Sequence, residues 1–177
     1  MAAAEQTRRA SIQLAKEDMH FSAAHFTIFS ANERENLHGH NFFVEASASG
    51  PIDANGLCFD YTVLKTRLRA LCDSLDETVL VASQSPHLEI EESPEEVVVE
   101  FDNETLRFPP RDVKLLPIRN VTVEELAHWF TAKVTGDESF AALSVETLTI
   151  RLSSGPGQWA ETTWFADADP AVTGTGP

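Results

Sequence analysis

The feature that most restricts this chain is the segment Asn41–Ser49, NFFVEASAS, in which Phe42, Val44, Ala46 and Ala48 recur at every second position. A period of two marks a strand with one face against a core and the other toward water. Such strands belong to antiparallel sheets that are covered on one side. Ser11–Lys16 repeats the alternation, and Gly50-Pro51 with Asp53-Ala-Asn-Gly56 punctuates the chain as turns.

Helical spacing takes over next. Leu64, Leu68, Leu71, Cys72 and Leu75 predict a helix over about Tyr61–Leu75, with Asp60 as its N-cap. A second helix begins at Thr122, with Glu125 as a capping-box partner and Leu126, Phe130 and Val134 as its buried stripe. Val145–Leu152 alternates again, Ser153–Gly157 breaks it, and Trp159–Phe165 resumes as a strand. Between the helices, residues 83–117 are too many for a plain loop, and Val97–Phe101 with Thr105–Phe108 reads as an inserted β-hairpin. The order predicts one α+β domain over residues 11–166 with a largely antiparallel sheet. Residues 1–10 and 167–177 read as flexible ends.

The 28 acidic and 13 basic residues give a formal charge of −15, with much of the acid in Glu89–Glu104. That balance opposes nucleic acid and anionic lipid as partners. The absence of a long apolar run or a secretory-type N-terminus, with only Cys58 and Cys72 present, points to a cytoplasmic protein. Both cysteines read as buried small apolar residues, Cys58 in a strand and Cys72 in the first helix.

Leu37-His38-Gly39-His40-Asn41 leads straight into the alternating strand. Residues two apart on a strand share a face, so His38 and His40 stand side by side. Gly39 between them leaves room for close backbone approach. A His-x-His pair alone also arises by chance; His25, on a neighbouring strand, would complete three imidazoles with a fourth position open, the pattern of a catalytic zinc site. His87 and His128 have no partner at ligand spacing, and His20 points the other way on a continuous strand.

FSAAH ending at His25, LHGHNF, Gly56-Leu-Cys-Phe-Asp60-Tyr61 with Leu64-Lys65, Leu75-Asp76, Asn120-Val-Thr122-Val-Glu124 and Trp159-Ala-Glu161 occur in that order. Together they resemble the 6-pyruvoyl-tetrahydropterin synthase and 6-carboxy-tetrahydropterin synthase superfamily. The resemblance implies a T-fold: an antiparallel four-stranded sheet with two helices on one face, here with the inserted hairpin. It also implies assembly into a homo-trimer or homo-hexamer with active sites between subunits, zinc on His25, His38 and His40, and a pterin-like heterocycle as ligand.

Three of the family's residues are absent. No cysteine precedes the HGH; Asp76-Glu77 stands where an aspartate–histidine relay is expected; and Ser154 occupies the position of the pterin-anchoring glutamate. Glu35, in an E-x-x-H-G-H arrangement, replaces the thiol as candidate base, with a pKa raised by partial burial. Members with that glutamate resemble aldolases that cut the side chain of dihydroneopterin derivatives. Asp76 and Glu77 could still relay a proton or simply end a helix. Thr122 and Glu124 match the family's T-x-E and would hold part of the heterocycle, although Thr122 also suits a helix cap. Three activities follow: a zinc lyase on a dihydroneopterin-type pterin, the family synthase reaction on dihydroneopterin triphosphate, or a zinc-binding homologue without pterin catalysis.

Overall fold

The computed structural model describes residues 8–166; of the flexible ends expected at 1–10 and 167–177, residues 1–7 and 167–177 lie outside them. Strand β1 (Arg9–Leu14) is followed by β2 (His20–His25), the short β3 (Ile28–Ser30) and β4 (Glu33–Arg34), and the long β5 (His38–Pro51). Helix α1 (Tyr61–Asp73) leads to β6 (Thr78–Ala82), then β7 (Glu89–Glu92), β8 (Val97–Phe101), β9 (Glu104–Phe108) and β10 (Val113–Leu116). Helices α2 (Val123–Thr135) and α3 (Glu138–Ala141) precede β11 (Thr147–Ser153) and β12 (Ala160–Phe165). Arg9 and Ala10, expected in the flexible end, already belong to β1.

β5 is the axis of the main sheet because its 14 residues are long enough to serve three partners. Its first half pairs with β2, its second half with β1, and its other edge with β11, all antiparallel. β12 continues beyond β11, also antiparallel. The expected four-stranded sheet is therefore not what forms: β1, β2, β5, β6, β10, β11 and β12 make one sheet of seven strands. Besides the antiparallel strands, β6 and β10 run parallel at the β2 edge. Parallel neighbours require crossovers, and α1 and the insert provide them. They cover an edge that would otherwise be bare.

The helices pack on one face, as the alternation in β5 requires. Asp60 caps α1 by accepting from the Thr62 N–H at 2.9 Å, and Thr122 caps α2 by accepting from Glu125 N–H at 3.3 Å. The capping box is half made: the Glu125 carboxylate accepts from the Arg119 N–H at 3.2 Å. The core is marked by Phe21, stacked on Phe42 at 4.9 Å and on Phe130 at 5.9 Å between ring centroids, all three rings fully buried. Each such ring contributes roughly 1.5–3 kcal/mol by leaving water. Cys72 lies in this core, whereas Cys58 is half-buried in the irregular segment before α1, not in a strand.

The inserted hairpin is a three-stranded antiparallel sheet, β7–β8–β9. It has an apolar core of its own: Val97, Val99 and Phe101 pack with Phe26, Ile28 and Val81. Among the described residues, no helix is long and apolar enough to cross a membrane.

Candidate active site

The end of β2 and the start of β5 bring three histidines together. His25 lies directly across from His38 in the ladder, and His40 follows two residues on, on the same face. One ligand nitrogen from each lies within 4.8 Å of the others. The Nε2 atoms of His38 and His40 are 2.9 Å apart. A Cβ at Gly39 would meet the Ala23 carbonyl oxygen at 3.4 Å, an ordinary contact, so the close approach expected at this glycine is not what the site needs it for.

Two rings are oriented from behind. His25 Nδ1 lies 3.0 Å from the Val121 carbonyl and His38 Nδ1 lies 2.8 Å from the Asn36 carbonyl. A carbonyl only accepts, so each Nδ1 carries the proton and each Nε2 offers a lone pair. His25 is buried, and its Nε2 has no hydrogen-bond partner. Burial pulls its pKa below the ordinary histidine value, the Val121 carbonyl partly opposes this, and the neighbouring His38 and His40 add to the lowering. A neutral, oriented, unsatisfied imidazole beside two others is the donor set that suits a divalent metal.

Glu35 follows the β3–β4 hairpin and turns back onto this cluster. Its Oε2 accepts from the Thr27 N–H at 3.0 Å and lies 4.0 Å from His38 Nε2. The expected upward pKa shift is not found. Partial burial does push the carboxyl up, but the Thr27 hydrogen bonds and the His38 and His25 fields outweigh it, so the net shift is downward. Glu35 is therefore a carboxylate near neutrality, able to accept a proton.

These groups open into a cleft of about 270 Å³, whose wall includes Thr122, Glu124 and Ser154. Phe42 and Gln158 complete it. Gln158 had no signal in the sequence beyond its place after the Gly155-Pro-Gly157 break; its amide carries both donors and an acceptor. Asp76 and Glu77 are not in this wall. Asp76 accepts from the Ser22 N–H at 2.7 Å, and the Glu77 N–H donates to the Ser22 carbonyl at 2.7 Å. Glu77 lines a separate opening of about 630 Å³ with Ser22, Ala24, Gly39 and Asn41. Ser22, Ala24, Gly39 and Asn41 alternate with His25, His38 and His40 along the strands, although His40 also reaches the lining of this opening.

Comparison with known proteins bears on the family and the fold. The family model described as 6-pyruvoyl tetrahydropterin synthase matches residues 13–163. A Pyrococcus horikoshii protein, provisionally named 6-carboxy-5,6,7,8-tetrahydropterin synthase, is 26% identical over 145 residues, 81% of this chain and 85% of that protein. The crystal structure of Plasmodium vivax 6-pyruvoyl tetrahydropterin synthase superposes with a TM-score of 0.83 at 28% identity, covering 89% of this chain and 99% of that one. Structures of the same P. vivax protein with a catalytic glutamate replaced by alanine or by cysteine superpose equally well, at 26% identity.

Proposed function

The chain belongs to the 6-pyruvoyl tetrahydropterin synthase family, and from that premise we propose that it is a zinc-dependent lyase acting on the side chain of a dihydroneopterin-type pterin, with Glu35 as the base. The observation that carries this reading is the Glu35 carboxylate, held by the Thr27 N–H and 4.0 Å from His38 Nε2. No thiol shares the cleft, and the catalytic glutamate of the P. vivax protein supports a carboxylate in this role.

His25, His38 and His40 would hold the zinc, which fits the buried, unpartnered Nε2 of His25 and the close Nε2 atoms of His38 and His40. When bound, zinc supplies Lewis-acid polarisation of a side-chain hydroxyl oxygen. Glu35 takes the proton of the 2′-hydroxyl. The C1′–C2′ bond then breaks, its electron pair moves into the C6=N5 unit of the dihydropterin, and C1′ is protonated. The products are 6-hydroxymethyl-dihydropterin and a two-carbon aldehyde, so atoms and electrons balance without a redox partner. Glu124 in the cleft wall compensates for Ser154: a carboxylate accepts the paired N–H groups of a pterin, as a hydroxyl does not. Thr122 and Gln158 supply further polar contacts at the wall.

A cleft of about 270 Å³ falls just below the ~300 Å³ lower end of small-molecule pockets. Phe165, Phe43 and Trp159 are exposed large hydrophobics. Both features favour a homo-trimer or homo-hexamer in which a neighbour closes the cleft. Any proton relay through Asp76 and Glu77 would then serve a neighbour's cleft, since neither lines its own.

A second reading has its own support. The P. vivax relative with a catalytic glutamate is called a synthase, so the same base could serve triphosphate elimination from dihydroneopterin triphosphate. Incubating the zinc-loaded protein with dihydroneopterin and its triphosphate, and identifying the products by mass spectrometry, separates the readings. Hydroxymethyl-dihydropterin supports the lyase; released triphosphate supports the synthase. Turnover of neither leaves a zinc-binding homologue without pterin catalysis.

A further inference from the structure

We infer that the inserted sheet β7–β8–β9 positions Glu35, acting through Arg34 and Glu104; the inference rests on Glu35 being the base. Arg34 precedes Glu35 in the chain, yet its side chain leaves the cleft and enters the insert. Its Nε donates to Glu104 Oε2 at 2.8 Å, Nη2 donates to the same oxygen, and Nη1 donates to the Glu35 backbone carbonyl at 2.8 Å. The guanidinium carbon lies 4.9 Å from the centre of the Phe26 ring and 5.8 Å from that of Phe101. One planar cation thus joins three things: the residue after the ligand His25, the main chain of the base, and two strands of the insert.

The hairpin that delivers Glu35 has strands of only three and two residues, and a two-stranded hairpin is at best marginal alone. It needs outside support. On one side Asn120 holds Ile28 through both main-chain groups, accepting its N–H at 3.0 Å and donating to its carbonyl at 2.8 Å. The insert provides the other side, through the Phe101–Phe26 apolar contact and the Arg34 fork. The Arg34 side chain is only 14% exposed, so its hydrogen bonds are shielded from competing water. Five donors in a fixed plane make this linkage specific to arginine; a lysine ammonium cannot span the same partners. The sensitivity of catalysis to placement gives the linkage its consequence, since a displacement of about 1 Å costs roughly 100-fold in rate.

Arg34 and Glu104 are therefore positioning residues, tested by Glu104→Gln and Arg34→Lys in the full zinc-loaded protein. With the pterin substrate identified above, kcat should fall about tenfold, as expected for losing a charge-assisted hydrogen bond. KM and zinc stoichiometry should stay at wild-type values. In a Glu35→Gln background the same substitutions should cause no further loss, because the group they position is gone. A readout independent of turnover is hydrogen–deuterium exchange of the peptide 27–36. It should speed up about tenfold in Glu104→Gln, since the Glu35 N–H bond to the Thr27 carbonyl opens more often. Unchanged kcat and unchanged exchange, or a loss that multiplies with that of Glu35→Gln, would overturn the inference. Wild-type turnover in Glu35→Gln alone would instead overturn the base assignment. Full turnover in Glu104→Gln and Arg34→Lys, with Glu35→Gln inactive, would overturn only the role given to the insert.

Discussion

Glu35 Oε2 and His38 Nε2 stand 4.0 Å apart, and each is steered by a main-chain group from outside the pair. Thr27 N–H holds the carboxylate, and the Asn36 carbonyl turns the imidazole. Carboxylate and imidazole are thus set by backbone atoms, whose positions survive most side-chain changes.

Glu35→Gln keeps the size of the side chain but cannot take a proton at neutral pH. Turnover should fall by about 10²–10⁴, the usual worth of a positioned base. Zinc content, measured by metal analysis, should be unchanged because the three imidazoles are intact. A variant retaining wild-type turnover would remove Glu35 from the chemistry.

Zinc removal should destabilise the fold around His25. Its Nε2 is buried without a partner, a cost that metal binding relieves. With zinc at a hundredfold excess over Kd, stabilisation of about 2.7 kcal/mol follows from mass action. For a domain of this size that corresponds to roughly 5–10 °C in Tm. Differential scanning calorimetry with and without chelator measures the shift, and His25→Ala should abolish it.

Thr122 has two tasks that substitutions separate. Its hydroxyl oxygen accepts from the Glu125 N–H, while the hydroxyl proton remains available to a ligand in the cleft. Thr122→Ser should preserve stability and KM. Thr122→Ala should cost about 1 kcal/mol of stability through the lost cap and should also raise KM. A destabilised Thr122→Ala with unchanged KM would reduce the residue to a helix cap.

Cys72 should behave as an inert thiol. Burial first, then the nearby Asp73, pushes its pKa up to about 12 from the ordinary 9.0. The folded state thus favours the thiol, and its stabilising contribution is full below the unfolded pKa and is lost as pH rises through about 9 to 12. In native protein at pH 8, thiol reagents titrated by absorbance should modify Cys58 and leave Cys72 untouched until denaturant is added. Above pH 9, chemical denaturation should show Cys72→Ala losing stability less steeply than wild type.

The helices and the axis of the sheet were legible because their signals are local. The period of two in Phe42, Val44, Ala46 and Ala48 specifies a half-buried strand, and the same period puts His38 and His40 on one face. The leucine spacing in α1 and the caps at Asp60 and Thr122 also depend only on near neighbours. Family motifs extended that reading to His25, which no spacing rule connects to His38.

Other features are products of long-range packing. β6 and β10 are short apolar runs, and nothing in them says that they add in parallel to the β2 edge. Asp76 and Glu77 lie close in sequence to a strand beside the histidines, but the turn into β6, with Glu77 at φ 56°, leaves them outside the cleft wall. Gln158 reaches the cleft only because β11 ends there. Nothing local connects Arg34 to Glu104, 70 positions away in the chain.

The sequence by itself therefore determined the element types, the shared face of two histidines and the availability of a carboxylate near them. Tertiary structure alone decided which edges pair, that Glu35 turns toward the histidine cluster with a lowered rather than raised pKa, and what holds it there. The physical reason is range. Periodicity and capping are energies between residues a few positions apart, whereas edge pairing, burial and electrostatic field arise between segments as distant as Arg34 and Glu104.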